Sequence, residues 1–426
     1  MAIINPFPAL RFDTSAAGRI EELTCPPYDI INETDLQSYL NTNPYNVIRL
    51  ELPKGQNPYE TAQALLQDWE AKGVLKRDET DGLYIYEEEF SAHEETKRIK
   101  GFICRVQLEE FEKGVVLPHE ETLSKAKADR FELMKATFCN FSQIYSLYMD
   151  EEHKTLRRID ALSAGAPDIQ MIDKEGVIHR LWVVTDKDAI AAIKADFIDR
   201  KLYIADGHHR YETALNFRNY CREQGLSKPG DAVDSIMMML VDMEHDGLVV
   251  FPTHRMLKNL QGFDPVAAMK ACEEYFTVEQ RTGTGSIEAE LDALYSQGKK
   301  AFAFYAGGEN WALLTLKSMA PLDKLLPRES EALKGLDVTV LHTLILEKLF
   351  GIDKENMANQ KNLTYTRSFD EAINRVRTGE FACSFILNPT RVTEIRDVAA
   401  NGEKMPQKST YFYPKLITGL VMNELK

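Results

Sequence analysis

Apolar residues recur along the chain with helical spacing in some segments and as short runs in others, which predicts both helices and strands. In residues 59–72, Ala62, Leu65, Leu66 and Trp69 are predicted to face inward, and Gly73 ends the helix. Residues 83–90 and 97–106 are predicted to form paired strands. Further predicted strands are 177–184, 201–205, 235–242, 248–253, 276–280, 301–305, 311–316 and 381–387. Further predicted helices are 189–195, 208–224, 266–275, 287–296, 338–350 and 368–377.

The order of these elements lacks strict strand–helix–strand repetition, so the sequence predicts an α+β fold in which helices cover mixed sheets. A boundary near residue 260 would divide the chain into two lobes. The first is an N-terminal α+β domain, residues 1–260, and the second is a C-terminal α+β domain, residues 261–426. The loop from Met405 to Lys415 is expected to return from the second domain to the first.

Three local features give further expectations. Residues 244–247 end in Asp-Gly and predict a hairpin between their flanking strands. The acidic residues 87–89 are expected to be a solvated edge or loop. His342 and the methionines 237–239 lie in apolar segments and are interpreted as core residues.

The most informative run is Asp206-Gly207-His208-His209-Arg210, between a predicted strand and a predicted helix. Gly207 permits a sharp turn, and the unpaired N–H groups of a helix start favour anions. Two imidazoles and a guanidinium strengthen that preference, so the run predicts a phosphate or other oxyanion site. Asp206 would orient a histidine, bind a metal ion or act as a base. In the alternative interpretation, the histidines cap the helix and Arg210 pairs with a surface acid.

A second candidate is the loop that carries Lys408, Ser409, Thr410 and Lys415, which two prolines restrict. Its cations and hydroxyls suit phosphate or carboxylate binding, although surface lysine loops are common. His254 and Arg255 follow a predicted strand and would add to an anion site. Capping or ion pairing is the alternative for that pair.

Carboxylates form a third group of candidates. His119, Glu120 and Glu121 precede Lys125, Lys127, Asp129 and Arg130 in the sequence. The acids would bind Mg²⁺ or act as a base and the cations would grip phosphate, unless they are only a solvated helix face. Asp29 and Glu51 are further candidates for the base.

Composition narrows the function classes. The chain has 426 residues and a formal net charge of −15, which disfavours nucleic acid as a partner. It contains no apolar run long enough for a membrane helix and no signal peptide, so a cytoplasmic location is expected. Six scattered cysteines have neither zinc-site nor disulfide-framework spacing. Walker A, GxGxxG and HExxH motifs are absent.

The Asp-Gly-His-His-Arg run after a strand resembles the signature of the ParB/sulfiredoxin superfamily, in which a short His-Arg motif at a helix start grips nucleotide phosphates. It is most similar to the free serine kinase branch. This resemblance implies a ParB/sulfiredoxin-like element, phosphorylation of serine, ADP or ATP as nucleotide, and Mg²⁺. Sulfiredoxin chemistry is excluded because the turn at Gly207 holds no cysteine.

A second resemblance runs through most of the chain and identifies it as a member of the family numbered 1015 among domains of unknown function. The resemblance implies an association with serine biosynthesis. The motifs that carry it, in order, are Pro6-Phe7-Pro8-Ala9-Leu10-Arg11, Cys25-Pro26-Pro27-Tyr28-Asp29, Asn43-Pro44-Tyr45-Asn46, Leu52-Pro53-Lys54, His119-Glu120-Glu121-Thr122, Pro252-Thr253-His254-Arg255, Met405-Pro406-Gln407-Lys408-Ser409-Thr410 and Tyr413-Pro414-Lys415.

Three functions are consistent with these residues. The first is nucleotide-dependent phosphoryl transfer on serine or phosphoserine, in either direction, with small molecules as the only expected partners. The second is a phosphoserine phosphatase with a metal among Asp206, His208 and His254. The third is a nucleotide-binding regulator without catalysis. Dependence of product formation on nucleotide separates the first function from the second. Nucleotide binding without turnover would support the third. The sequence leaves the oligomeric state open.

Overall fold

The computed structural model describes residues 1–92, 94–120 and 124–426. The chain forms two units, each with its own mixture of helices and strands, and the predicted α+β class is confirmed. The first unit contains Met1–Pro118, Thr122–Val249 and Pro414–Lys426, and the second contains His119–Glu121 and Val250–Tyr413.

A mixed sheet forms the centre of the first unit. Its described strands, in spatial order, are Val116–Leu117, Leu202–Asp206, Ile144–Tyr148, Ser235–Asp242, Glu95–Gln107, Leu83–Ala92, Ile178–Val184 and Ile169–Ile172, with Ile4–Asn5 beside Glu95–Gln107. The first pair and the pair Ile144–Tyr148 with Ser235–Asp242 are parallel, and the other pairs are antiparallel. Two further strand pairs lie outside this sheet: Leu10–Phe12 with Leu75–Arg77, and Cys139–Asn140 with Asn423–Glu424.

Helices of the first unit pack their apolar faces onto this sheet. The helix His208–Glu223 buries Tyr211, Ala214, Leu215 and Cys221, which are the residues that its helical spacing places inward. The α-helices of this unit are Thr14–Ala17, Ile20–Leu23, Glu33–Thr42, Ile48–Glu51, Pro58–Ala71, Ser124–Thr137, Lys154–Leu162, Lys187–Asp196 and His208–Glu223, with 3-10 turns at Tyr28–Ile30, Phe111–Lys113 and Ala232–Asp234.

The second unit is built on an antiparallel sheet. Its described strands, in spatial order, are Phe276–Thr282, Asn310–Leu316, Ala301–Tyr305, Cys383–Ile386, His254–Leu257 and Leu363–Thr366. Helices Ile287–Ser296 and Phe369–Arg377 share an apolar core with it. The remaining elements are α-helices Pro265–Cys272, Ala320–Leu325, Glu331–Lys334, Asp337–Val340, Lys354–Ala358 and Val392–Ala400, the 3-10 turn Thr284–Ser286, the π-helix Leu341–Leu349, and the paired strands Val249–Phe251 and Tyr411–Tyr413.

The division between the units differs from the predicted boundary at residue 260. The strand His254–Leu257 pairs with Leu363–Thr366 and Cys383–Ile386, so the second unit begins at Val250. The last residues, 414–426, belong to the first unit because Asn423–Glu424 pairs with Cys139–Asn140. Of the predicted returning loop, Lys415 therefore lies in the first unit and Lys408 in the second.

The prediction that residues 87–89 are solvated is wrong. They belong to the strand Leu83–Ala92, which has a neighbour on each side, and Glu88 is fully buried. Arg180 pairs with Glu87 at 2.7 Å and with Glu89 at 3.1 Å. Tyr86 donates a hydrogen bond to Glu88 at 3.1 Å. Arg180 is distant in the sequence, and its ion pairs make the burial of these acidic residues tolerable.

The predicted hairpin around residues 244–247 is also wrong. Ser235–Asp242 pairs with Glu95–Gln107 and Ile144–Tyr148, whereas Val249–Phe251 pairs with Tyr411–Tyr413. A Cβ at Gly247 would lie 1.7 Å from the carbonyl oxygen of Arg98. This glycine therefore serves a close approach to a neighbouring strand.

Candidate functional site

The Asp-Gly-His-His-Arg run forms the predicted strand–turn–helix. The strand Leu202–Asp206 ends at Gly207, and the helix His208–Glu223 begins at the next residue. Gly207 has φ of 97°, a conformation that residues with a side chain rarely adopt. The motif thus places the first N–H groups of a sixteen-residue helix directly after the strand end.

Arg210 folds back over this turn. Its Nη2 donates to Asp206 Oδ2 at 2.8 Å, and its Nη1 donates to the carbonyl oxygen of Gln143 at 2.5 Å. A Cβ on Gly207 would lie 2.9 Å from Nε and from Nη2 of Arg210. The missing side chain of Gly207 therefore makes room for the guanidinium, a reason that the sequence pattern does not reveal.

Asp206 is held between two cations. Lys415 donates to Oδ1 and Arg210 to Oδ2, so both carboxylate oxygens are engaged. Burial alone would raise the pKa of Asp206, but Lys415 and Arg210 outweigh it and hold that pKa well below its usual range. An ionised carboxylate with both oxygens occupied is better suited to positioning Arg210 and Lys415 than to accepting a proton.

The two histidines occupy the first turn of the helix. His208 is buried and His209 is half-buried. The charge of His208 also favours the ionised form of Asp206. Both histidines therefore lie in the first helical turn, close to Asp206 in the sequence.

A small cavity of about 30 Å³ lies beside Arg210 in the first unit. Arg130 Nη1 lies 3.6 Å from Glu51 Oε1 and donates to the Glu51 carbonyl oxygen at 2.8 Å. Ser142 Oγ donates to Glu51 Oε1 at 3.1 Å. The polar residues that line the cavity are Glu51, Arg130, Asn140, Ser142, Arg210 and Thr213. Two arginines and one glutamate thus line the same cavity.

Two polar atoms of this wall lack a hydrogen-bond partner within the described ranges. They are Thr213 Oγ1 and Asn140 Nδ2, and both residues are buried. Such atoms are costly unless a ligand or solvent satisfies them. Thr213 lies three residues after Arg210, so helical spacing offers a signal for it. Asn140 and Ser142 carry no comparable signal in the sequence.

Tyr28 of the Cys-Pro-Pro-Tyr-Asp motif contacts Arg130, which lines this cavity. The ring of Tyr28 lies 4.2 Å from the Arg130 guanidinium carbon, within the range of a cation–π contact. Burial lowers the pKa of Arg130, but Glu51 and Asp129 outweigh burial and raise it overall. Arg130 is therefore a permanent cation, held by an aromatic ring and two carboxylates.

The second unit brings together the other group of predicted residues. His119 Nε2 lies 3.0 Å from Thr410 Oγ1, and Glu120 accepts a hydrogen bond from the Lys408 backbone N–H at 3.0 Å. Arg255 Nη2 donates to the Lys408 carbonyl oxygen at 3.1 Å. Ser409 is buried, and Thr390 donates to its carbonyl oxygen at 2.8 Å. The loop 405–413 is therefore held by residues from several parts of this unit.

His254 and Arg255 are both buried in the second unit. Burial, together with Arg255, lowers the pKa of His254 to about 3, so its ring is neutral near pH 7. Glu121 and Thr122 lie outside the described residues, as does the side chain of Lys125.

Other features bear on cofactors and location. In the ranges that the structure covers, no group of three or more His, Cys, Asp and Glu side chains is arranged to hold a metal ion. All six cysteines are buried free thiols. Every described helix falls short of the length and apolar character that crossing a bilayer requires.

Comparisons with known proteins identify one family. The family model described as "Protein of unknown function (DUF1015)" matches residues 4–339. No curated protein matches the sequence significantly.

Solved structures give weaker likenesses. A free serine kinase in complex with AMP has 14% identity and a TM-score of 0.37, with 76% of this chain and 91% of that chain covered. A free serine kinase variant in complex with ADP has 12% identity and a TM-score of 0.38, with coverages of 76% and 92%. A conserved hypothetical protein from Pyrococcus furiosus has 13% identity and a TM-score of 0.36, with coverages of 76% and 95%. Likenesses at this level do not assign an activity.

Proposed function

This chain belongs to the DUF1015 family of proteins of unknown function, and we propose that it transfers a phosphoryl group to serine or from phosphoserine. A nucleotide is the other reactant. The observation that carries the proposal is the convergence of Arg130, Arg210 and Glu51 at one small cavity beside a helix start. Paired cations and a helix N-terminus stabilise transferring phosphoryl groups, while a buried carboxylate accepts a hydroxyl proton.

Each residue near the cavity has a role in this proposal. Arg210, His208, His209 and the N–H groups after Gly207 bind the phosphoryl group. Asp206 is a positioning residue, because its oxygens hold Arg210 and Lys415. In the forward direction the serine hydroxyl oxygen forms a bond to the terminal phosphorus of the nucleotide. The bridging phosphorus–oxygen bond breaks, its electron pair leaves with the shorter nucleotide, and the hydroxyl proton passes to Glu51.

Within the second unit, Lys408, Ser409 and Thr410 are proposed to bind a phosphate or carboxylate group. Glu120 has a supporting role there, because its carboxylate accepts the Lys408 backbone N–H. His254 and Arg255 are buried in the same unit, which supports a structural role for both.

Mg²⁺ is the expected companion of nucleotide phosphates. The carboxylates beside Arg210 do not fit a site made by protein ligands alone. Both oxygens of Asp206 are engaged by cations, and Glu51 is paired with Arg130 and Ser142. No step of the proposed reaction is therefore assigned to the metal.

The test is a transfer assay with the full-length protein and Mg²⁺. Phosphoserine is offered with and without AMP or ADP, serine is offered with ADP or ATP, and all products are followed. We expect conversion only when nucleotide is present. Phosphate released from phosphoserine without nucleotide would identify a phosphatase instead, and nucleotide binding without any turnover would identify a regulator. Either result contradicts the proposal.

Two arginines of one helix provide a matched pair of variants. Arg210→Ala removes the group that lines the cavity, and we expect at least a ~10²-fold loss of kcat/KM. Arg222→Ala removes a more exposed arginine near the end of the same helix, which pairs with Asp234 at 2.7 Å. Its kcat/KM should stay within about twofold. Full activity of Arg210→Ala would refute the assignment.

A further inference from the structure

A second cavity, of about 130 Å³, lies wholly within the second unit. It is larger than the cavity beside Arg210, and none of its lining residues belongs to the site proposed above. Leu326, Leu333 and Met357 form an apolar part of its wall, and Thr339, His342 and Tyr365 form a polar part. The charged side chains of the wall balance, with two lysines and two glutamates. The cavity thus presents an apolar region and a polar region to a single ligand.

The polar region contains two hydroxyl groups without partners. Thr339 Oγ1 and Tyr365 Oη are buried and make no hydrogen bond to any residue that the structure describes. A buried hydroxyl that lacks a partner destabilises a fold, and native proteins contain few of them. Two at one cavity indicate that their partner is a bound molecule.

Arg255 lies behind this polar region. It is 1% exposed, and its guanidinium carbon is 5.2 Å from the Tyr365 ring. It donates to His342 Nε2 at 3.2 Å and to the carbonyl oxygens of Thr253 and Lys408. Within the described part of the chain, no carboxylate forms an ion pair with it. The carboxylate of Glu120 acts on Arg255 without forming a salt bridge, so this buried cation leaves the polar region favourable for an anion.

His342 adds a donor to the same region. Because Arg255 donates to Nε2, that nitrogen is an acceptor and the neutral ring carries its proton on Nδ1. Burial, reinforced by Arg255, lowers the pKa of His342 well below its ordinary value, which keeps the ring neutral. Thr339 and His342 are one helical turn apart, where the chain passes from α-helix into the π-helix Leu341–Leu349. Such π-helical segments occur frequently at functional sites.

We propose that this cavity binds a small organic carboxylate of about the size of an amino acid. The carboxylate accepts hydrogen bonds from Thr339, His342 and Tyr365, and the hydrocarbon part contacts Leu326, Leu333 and Met357. The volume equals roughly ten water-sized spheres, which is enough for a molecule of that size. The cavity is distinct from the proposed phosphoryl-transfer cavity of the first unit, and Arg255 also supports the Lys408 backbone.

Hexanoate is a suitable probe, with hexanamide and hexylamine as matched compounds of similar length. We expect calorimetry on the full-length protein to show saturable binding of hexanoate, at least ~10-fold weaker binding of the amide, and no binding of the amine. The methyl resonance of Met357, assigned with Met357→Leu, should shift when hexanoate binds. Absence of saturation up to ~10 mM hexanoate, or equal affinity for the amide, overturns the proposal.

Variants locate the binding site. Thr339→Val and Tyr365→Phe each remove one hydroxyl that has no described partner, so both should fold at least as stably as wild type. Each is expected to weaken hexanoate binding ~10-fold or more. Ser384→Ala is the control, because Ser384 Oγ is another buried hydroxyl without a described partner and does not line the cavity. Unchanged affinity in both test variants, or an equal loss in Ser384→Ala, overturns the proposal.

Discussion

Replacing Gly207 by alanine is predicted to displace Arg210. The added Cβ would lie 2.9 Å from two nitrogens of the guanidinium, closer than real side chains approach. The backbone must also hold alanine at φ of 97°, which costs about 1–3 kcal/mol. Movement of Arg210 breaks its hydrogen bonds to Asp206 and to the Gln143 carbonyl oxygen. A charged hydrogen bond contributes roughly 1.5–3 kcal/mol, so the free energy of unfolding should fall by about 2.5–6 kcal/mol if one of the two bonds is lost and by about 4–9 kcal/mol if both are lost.

Gly225 is a control that separates the cost of backbone strain from the cost of displacing Arg210. Gly225 follows the end of the same helix and has φ of 68°, and a Cβ added to it would have no other atom within 4 Å. Gly225→Ala therefore carries only the backbone cost, about 1–3 kcal/mol. The difference in free energy of unfolding between Gly207→Ala and Gly225→Ala measures the cost of displacing Arg210.

The assay has two readouts for each variant. Urea unfolding gives the free energy of unfolding, and the phosphoryl-transfer assay gives kcat/KM. We expect Gly225→Ala to keep full activity and Gly207→Ala to lose at least ~10-fold in kcat/KM. If both variants lose the same stability and both stay fully active, the reasoning about Gly207 and Arg210 is refuted.

Three further predictions concern single charges. Glu51→Gln removes the proposed proton acceptor, so kcat should fall ~10²-fold or more. The variant preserves the size of the side chain, so the nucleotide affinity measured by calorimetry should stay within about twofold. An equal loss of affinity would argue against a proton acceptor. Lys415→Met removes one of the two cations that lower the pKa of Asp206, so kcat/KM should fall ~10-fold or more, and unchanged kinetics would contradict the positioning role. Burial raises the pKa of Glu88 from 4.5 to about 7, although His179 opposes the shift. A raised carboxyl pKa contributes stability below pH 4.5 that is lost as the pH rises through 7, so wild type should lose roughly 3 kcal/mol relative to Glu88→Gln across that window. Urea unfolding at both ends of the window tests this, and a constant difference would contradict it.

Elements with a strong local pattern could be predicted from the sequence. The strand–turn–helix around Gly207 and the helix Pro58–Ala71 follow from residue spacing and a terminal glycine, which are local properties. The prediction for the acidic residues 87–89 is wrong because their burial depends on Arg180, which only the folded sheet brings beside them. Local polarity indicates exposure only where no distant partner is available.

The candidate site also depends on contacts between residues that are distant in the sequence. The residues from Asp206 to Thr213 are close in the sequence, and even there Gly207 serves the Arg210 guanidinium as well as the turn. In the sequence Glu51 is one of several candidate acids, and its contact with Arg130 is what distinguishes it from Asp29. The proposed base shares a cavity with two arginines through contacts between residues that lie tens of positions apart in the sequence. Such contacts leave no periodic trace, so the chemistry of the residues can be predicted from the sequence while their grouping requires the fold.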